Sequence, residues 1–111
     1  MIQKTDLRIL NLMLEKIDRL IELNNKYNLK EIESNYVISD AIQFEFEKLY
    51  EDSTRLSIEL RIAYPNLPFD ELRSIRNRIA HDYESVIIKI LVDTINDDLP
   101  GLKNKIKEII K

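Results

Sequence analysis

A chain of 111 residues has the length of one domain, and its balance of 44% apolar to 33% charged residues is that of a globular protein. The net charge of −3 argues against broad coating of nucleic acid, which needs a strongly basic surface, yet leaves room for a small local phosphate site. The lack of cysteine excludes disulfides and thiolate metal sites, and a single histidine excludes a multi-histidine metal site within one chain. Counting alone does not exclude a carboxylate magnesium site.

With one glycine and three prolines there are few breakers, so a few long helices are expected and hairpins are not. The first helix is expected from about Asp6 to Asn25, with Thr5 as N-cap. Leu7, Leu10, Leu14, Ile17 and Ile21 recur at spacings of three and four and form its apolar stripe. Asn24, Asn25 and Asn28 mark its end, and a short helical turn is expected near Leu29 to Glu33. A second long helix is expected from near Ser34 to about Ala63. Ile38, Ile42, Phe46, Leu49, Leu56, Leu60 and Ala63 keep helical spacing along it, until Pro65 and Pro68 stop it.

The third helix is expected to open at Pro68 and to carry Phe69, Leu72, Ile75 and Ile79 on its apolar side. A fourth, near Ser85 to Asn96, is apolar almost all round through Val86-Ile87-Ile88 and Ile90-Leu91-Val92. Such a helix belongs either in the centre of a bundle or in a contact between subunits. Leu99 to Lys111 completes the series, with Pro100 opening it or kinking it off the fourth helix. The whole reads as one all-α domain over residues 1–111, an antiparallel bundle of four or five helices. The start of the chain lacks an apolar signal core and no apolar run approaches membrane-spanning length, which places the protein in the cytoplasm by expectation.

One stretch is loaded with chemistry: Arg76-Asn77-Arg78-Ile79-Ala80-His81-Asp82-Tyr83. Histidine is the side chain suited to proton transfer near neutral pH, and His81 is the only one. Arg76 offers a permanent charge and a planar fork of donors for phosphate oxygens. Asn77 stands four residues before His81, on the same helix face. Histidine with arginine and no metal suits transesterification of RNA. A base frees the ribose 2′-hydroxyl to attack its own phosphorus, the arginine steadies the developing charge, and an acid protonates the leaving oxygen.

Efficient acid and base work asks for two proton carriers. A symmetric dimer would place two copies of the stretch across a shared cleft, and Asp82 or Glu84 is the alternative second group. The blander reading is a solvated helix face, with Asp70, Glu71, Asp82 and Glu84 neutralising Arg73, Arg76 and Arg78. Another reading is a non-catalytic helical module that binds a nucleotide.

Arg76-Asn77, His81 four residues further on and Tyr83 just beyond resemble the signature of HEPN domains, specifically the HepT toxin family. Leu67-Pro68-Phe69 resembles that family's lead into the motif helix, and Asp97-Asp98-Leu99-Pro100-Gly101-Leu102-Lys103 resembles the start of its last helix. The resemblance covers essentially the whole chain, most clearly from Tyr64 onward. It implies a helical homodimer with two motifs facing one cleft, and Arg76 and His81 as the ribonuclease pair without a cofactor, with Asn77 as polar support. It also implies a toxin silenced by a minimal nucleotidyltransferase of the MNT type, which adds AMP to Tyr83. The family's second helix carries Gly-Glu-Ala where this chain has Tyr50-Glu51-Asp52. Glu51 is retained as a supporting residue, and the tyrosine alters how closely the helices can approach.

Overall fold

Ile9, Leu10, Met13, Ile17 and Leu20 line one side of a 23-residue helix, α1 (Lys4–Lys26), and all five are buried. The computed structural model describes residues 2–111, so Met1 lies outside it. The buried stripe is centred slightly off the expected one: Leu10 and Ile17 belong to both, Leu14 and Ile21 are half-buried, and Leu7 is exposed. α1 also starts earlier than expected, with Gln3 rather than Thr5 at the N-cap position and no side chain capping it. Ile2 packs against the core, and Asp6 in the first turn supplies the negative charge that a helix start favours.

A capping box of Asn28 and Glu31 starts the short α2 (Leu29–Ser34), the turn expected there. The long helix expected from Ser34 to Ala63 is two helices, α3 (Tyr36–Thr54) and α4 (Ile58–Ala63). Asn35 caps α3, its Oδ1 accepting from the Val37 N–H. The break falls at Ser57, which is extended and whose Oγ accepts from the Leu60 N–H. The Asp6 carboxylate on α1 accepts from both the N–H and the Oγ–H of Ser57. Apolar spacing through Leu49, Leu56 and Leu60 runs across this break and conceals it.

α5 (Phe69–His81), α6 (Glu84–Asp97) and α7 (Leu99–Ile110) follow. Five long helices and two single-turn pieces therefore make up the expected all-α bundle, and the described residues include no strand. Pro68 is the N-cap of α5 rather than its first residue, and Pro100 sits within the first turn of α7.

Polar pairs show the directions. Asp6 meets Ser57, Lys16 meets Asp52 at 2.7 Å and Arg19 meets Glu45 at 3.2 Å, so numbers rise along α1 as they fall along α3. Lys103 on α7 reaches Asp18 on α1 at 2.6 Å. α6 lies in the middle, packed against α1, α2, α3, α5 and α7, with Ile87, Ile88, Leu91, Val92 and Ile95 buried. The apolar fourth helix thus belongs to the bundle centre, and a contact between subunits is not needed to cover it. Val86 is its one large apolar side chain left exposed. Among the described residues no helix is long and apolar enough to cross a membrane.

Candidate active site at the end of the fifth helix

α5 rests on the bundle by one side only. Leu72 is buried, Ile75 and Ile79 are half-buried, and Arg73, Arg76, Asn77, Ala80 and His81 face outward. Its charges follow the helix dipole, with Asp70 and Glu71 in the first turn and Arg78 and His81 in the last. The helix stops sharply after His81. Asp82 and Tyr83 are both extended, and Tyr83 is already the N-cap position of α6. The end of α5 is therefore a defined two-residue junction. It leaves Tyr83 84% exposed.

The three arginines of α5 separate cleanly. Arg73 is paired with Asp70 at 2.6 Å, and Arg78 donates from Nε to Asp82 at 2.9 Å. Arg76 has no carboxylate partner among the described residues, and its Nη1 stands 3.5 Å from Asn77 Oδ1, the outer limit of a hydrogen bond. Mutual neutralisation thus accounts for two arginines and leaves the third as an open guanidinium. His81 likewise makes no hydrogen bond within the described residues, so both ring nitrogens are open to an incoming group. The two side chains start from positions about 7.5 Å apart along the helix axis, a separation that a phosphodiester and its neighbouring ribose can bridge.

Asn77 turns to Arg76 rather than to His81, so its support goes to the guanidinium. Glu51 is exposed and pairs with Lys48 on its own helix at 3.5 Å, and among the described residues no hydrogen bond or ion pair joins it to Arg76, Asn77 or His81. Tyr50 is half-buried against the core, and buried Asp52 faces α1, where Lys16 meets it, with Arg55 on its other side. Of the two acids considered as a second proton carrier, Asp82 is held by Arg78 and Glu84 accepts from Ser39 Oγ at 3.0 Å. The link to Ser39 escapes sequence reading, since no periodicity relates positions 45 apart. Among the described residues no three histidine or carboxylate side chains gather where they could hold a metal ion.

A family profile described as Ribonuclease HepT-like matches residues 13–109. The chain belongs to the HepT-like family. It is a nuclease by that membership, and the match begins at Met13, so it takes in the half of the chain before Tyr64 where the motifs are least distinctive. Similar proteins agree with this HepT-like assignment. A candidate RNase of Methanocaldococcus jannaschii is 27% identical over 99 residues, covering 89% of this chain and 82% of its own. A protein named as a probable ribonuclease HepT in Thermococcus cleftensis is 26% identical over 102 residues, 88% of this chain and 93% of its own. A candidate RNase of Caldanaerobacter subterraneus subsp. tengcongensis is 26% identical over 108 residues, 97% of this chain and 96% of its own. No solved structure matches this HepT-like chain.

Proposed function

We propose that this HepT-like protein is a metal-independent endoribonuclease in which Arg76 and His81 carry the reaction. The observation that supports this best is the pairing pattern on α5: two arginines are bound to carboxylates, and the third is left open on the exposed helix that ends in the only histidine. His81 takes the proton of the ribose 2′-hydroxyl as its oxygen attacks phosphorus. Arg76 holds the non-bridging oxygens as charge builds there, and Asn77 restrains the guanidinium. The bond to the 5′-oxygen breaks and that oxygen takes a proton, leaving a 2′,3′-cyclic phosphate. DNA has no 2′-hydroxyl and is spared.

The second proton carrier is His81 of a second copy. Within one chain Asp82 and Glu84 are both engaged, which favours the dimer over either acid. The dimer face has its own support. Val37, Phe44 and Glu51 are spaced by seven and fall within about 40° of one another on α3, and Val37 and Phe44 are exposed apolar residues. Tyr36, Tyr83 and Val86 add exposed apolar surface where α3 and α6 begin. Pairing of two copies over this surface brings the motif helices together and carries Glu51 toward the partner's site.

In the cell we assign the role of a toxin, held in check by a minimal nucleotidyltransferase that adds AMP to Tyr83. The exposed phenol at the junction is open to such an enzyme, and an added AMP would set an anion beside Arg76. Cleavage of an RNA oligonucleotide in excess EDTA, with mass analysis of the products, tests the chemistry. Products ending in 2′,3′-cyclic phosphate are expected. Loss of activity in EDTA with recovery in magnesium would sink the mechanism.

A further inference from the structure

His81 closes α5 and Tyr83 opens α6, with only Asp82 between them. Two extended residues at a junction this exposed have little packing to hold them, and α6 has no side chain capping its start. The two helices are set by their packing on the bundle, and the last turn of α5, with the His81 ring, is held further by what fastens the junction on either side. On the α5 side Asp82 accepts from Arg78 Nε, and the Asp82 N–H donates to the Arg78 carbonyl at 2.8 Å. On the α6 side the fastening comes from another helix. Ser39 of α3 is 1% exposed, and its Oγ donates to Glu84 Oε1 at 3.0 Å. The Tyr36 carbonyl stands farther off at 3.3 Å, and one hydroxyl proton goes to the nearer, charged acceptor. Glu84 is also in the first turn of α6, where the helix dipole favours its charge.

We propose that Ser39 and Glu84 form a latch between α3 and the α5–α6 junction, and that both are positioning residues for His81. The proposal rests on the reading of His81 given above. The latch touches neither RNA nor the reacting atoms; it holds the last turn of α5 so that the imidazole and the Arg76 guanidinium meet the same phosphodiester. A hydrogen bond to a carboxylate suits this task because the acceptor, not the charge, sets the geometry. Glutamine at position 84 offers the same oxygen at the same reach.

The test compares the full chain with Ser39→Ala, Glu84→Ala, Glu84→Gln and the double alanine variant, each checked for an unchanged helical spectrum. Both alanine variants should lower the cleavage rate at saturating RNA about tenfold while KM moves less than about twofold, since positioning rather than binding is lost. The double variant should be no worse than either single one. Glu84→Gln should keep most of the rate. Amide exchange followed by NMR should show the Asp82 N–H exchanging about tenfold faster in the alanine variants, with buried amides of α6 unchanged. Unchanged exchange at Asp82, or a Glu84→Gln enzyme as slow as Glu84→Ala, would overturn the latch. A parent protein that cuts no RNA would instead overturn the ribonuclease reading, and exchange at Asp82, with the lone imidazole signal of His81, then decides the latch alone.

Discussion

Arg78 Nε donates to Asp82 Oδ2 across one turn at 2.9 Å, and this pair straddles His81. The bond has two consequences for the site. It removes Asp82 from consideration as a free proton carrier next to the histidine, and it removes Arg78 as a rival to Arg76 for phosphate. What remains open on the outer face of α5 is one guanidinium and one imidazole.

Arg76→Lys keeps the charge and loses the planar fork, so cleavage should fall about 10²-fold, in the range seen when one charge-stabilising donor is removed. His81→Gln retains hydrogen bonding and cannot carry a proton, and should be nearly inactive. Both substitutions are on an exposed face and should leave thermal unfolding within a degree or so of the parent. Equal and mild effects in an RNA cleavage assay would return both residues to structural roles.

Light scattering at micromolar concentration should report about twice 13.2 kDa. Phe44→Glu places a charge in the proposed contact face, on a side chain that is exposed in the single chain, so it should yield a folded monomer. That monomer should be inactive with Arg76 and His81 both present. An active monomer would remove the need for a second histidine.

Tyr83→Phe should cleave RNA at close to the parent rate and resist silencing by the partner nucleotidyltransferase. Mass analysis after co-expression should find added AMP on Tyr83 and on none of the other four tyrosines. The informative competitors are Tyr36 and Tyr64, which are exposed as well, whereas Tyr27 and Tyr50 are half-buried. A fully inhibited but unmodified protein would mean that the partner acts by binding alone.

The buried pair of Lys16 and Asp52 gives a stability prediction independent of activity. Lys16→Met leaves Asp52 charged and buried with only the more exposed Arg55 beside it, and should cost about 3 kcal/mol in urea unfolding. Lys16→Met combined with Asp52→Ala, which restores the small residue of the family pattern, should recover most of that loss. A double variant still well below the parent would show that the pair is a net stabiliser rather than a replaceable polar contact.

Much of this protein was legible in its residues taken in order. The scarcity of glycine and proline and the three-and-four spacing of apolar side chains specify long helices, because helix periodicity is local and each turn records which side is covered. The span from Arg76 to Tyr83 pointed to the family for a similar reason: it lies on one helix and its exit, so spacing in sequence is spacing in space. Tertiary structure decided what depends on partners distant in the chain. Asp6, 51 positions away, binds Ser57 at the break between α3 and α4, where the apolar pattern runs on unbroken. The fourth helix reads as fit for either the bundle centre or a subunit contact, and five neighbouring helices pack round it. Glu84 looked like a counter-ion for arginines nearby and is bound to Ser39. Of the three arginines of α5, only Arg76 is left without a carboxylate among the described residues. Hydrogen bonds and ion pairs act over about 3 Å of space whatever the distance along the chain, and only the packed bundle settles which groups come that close.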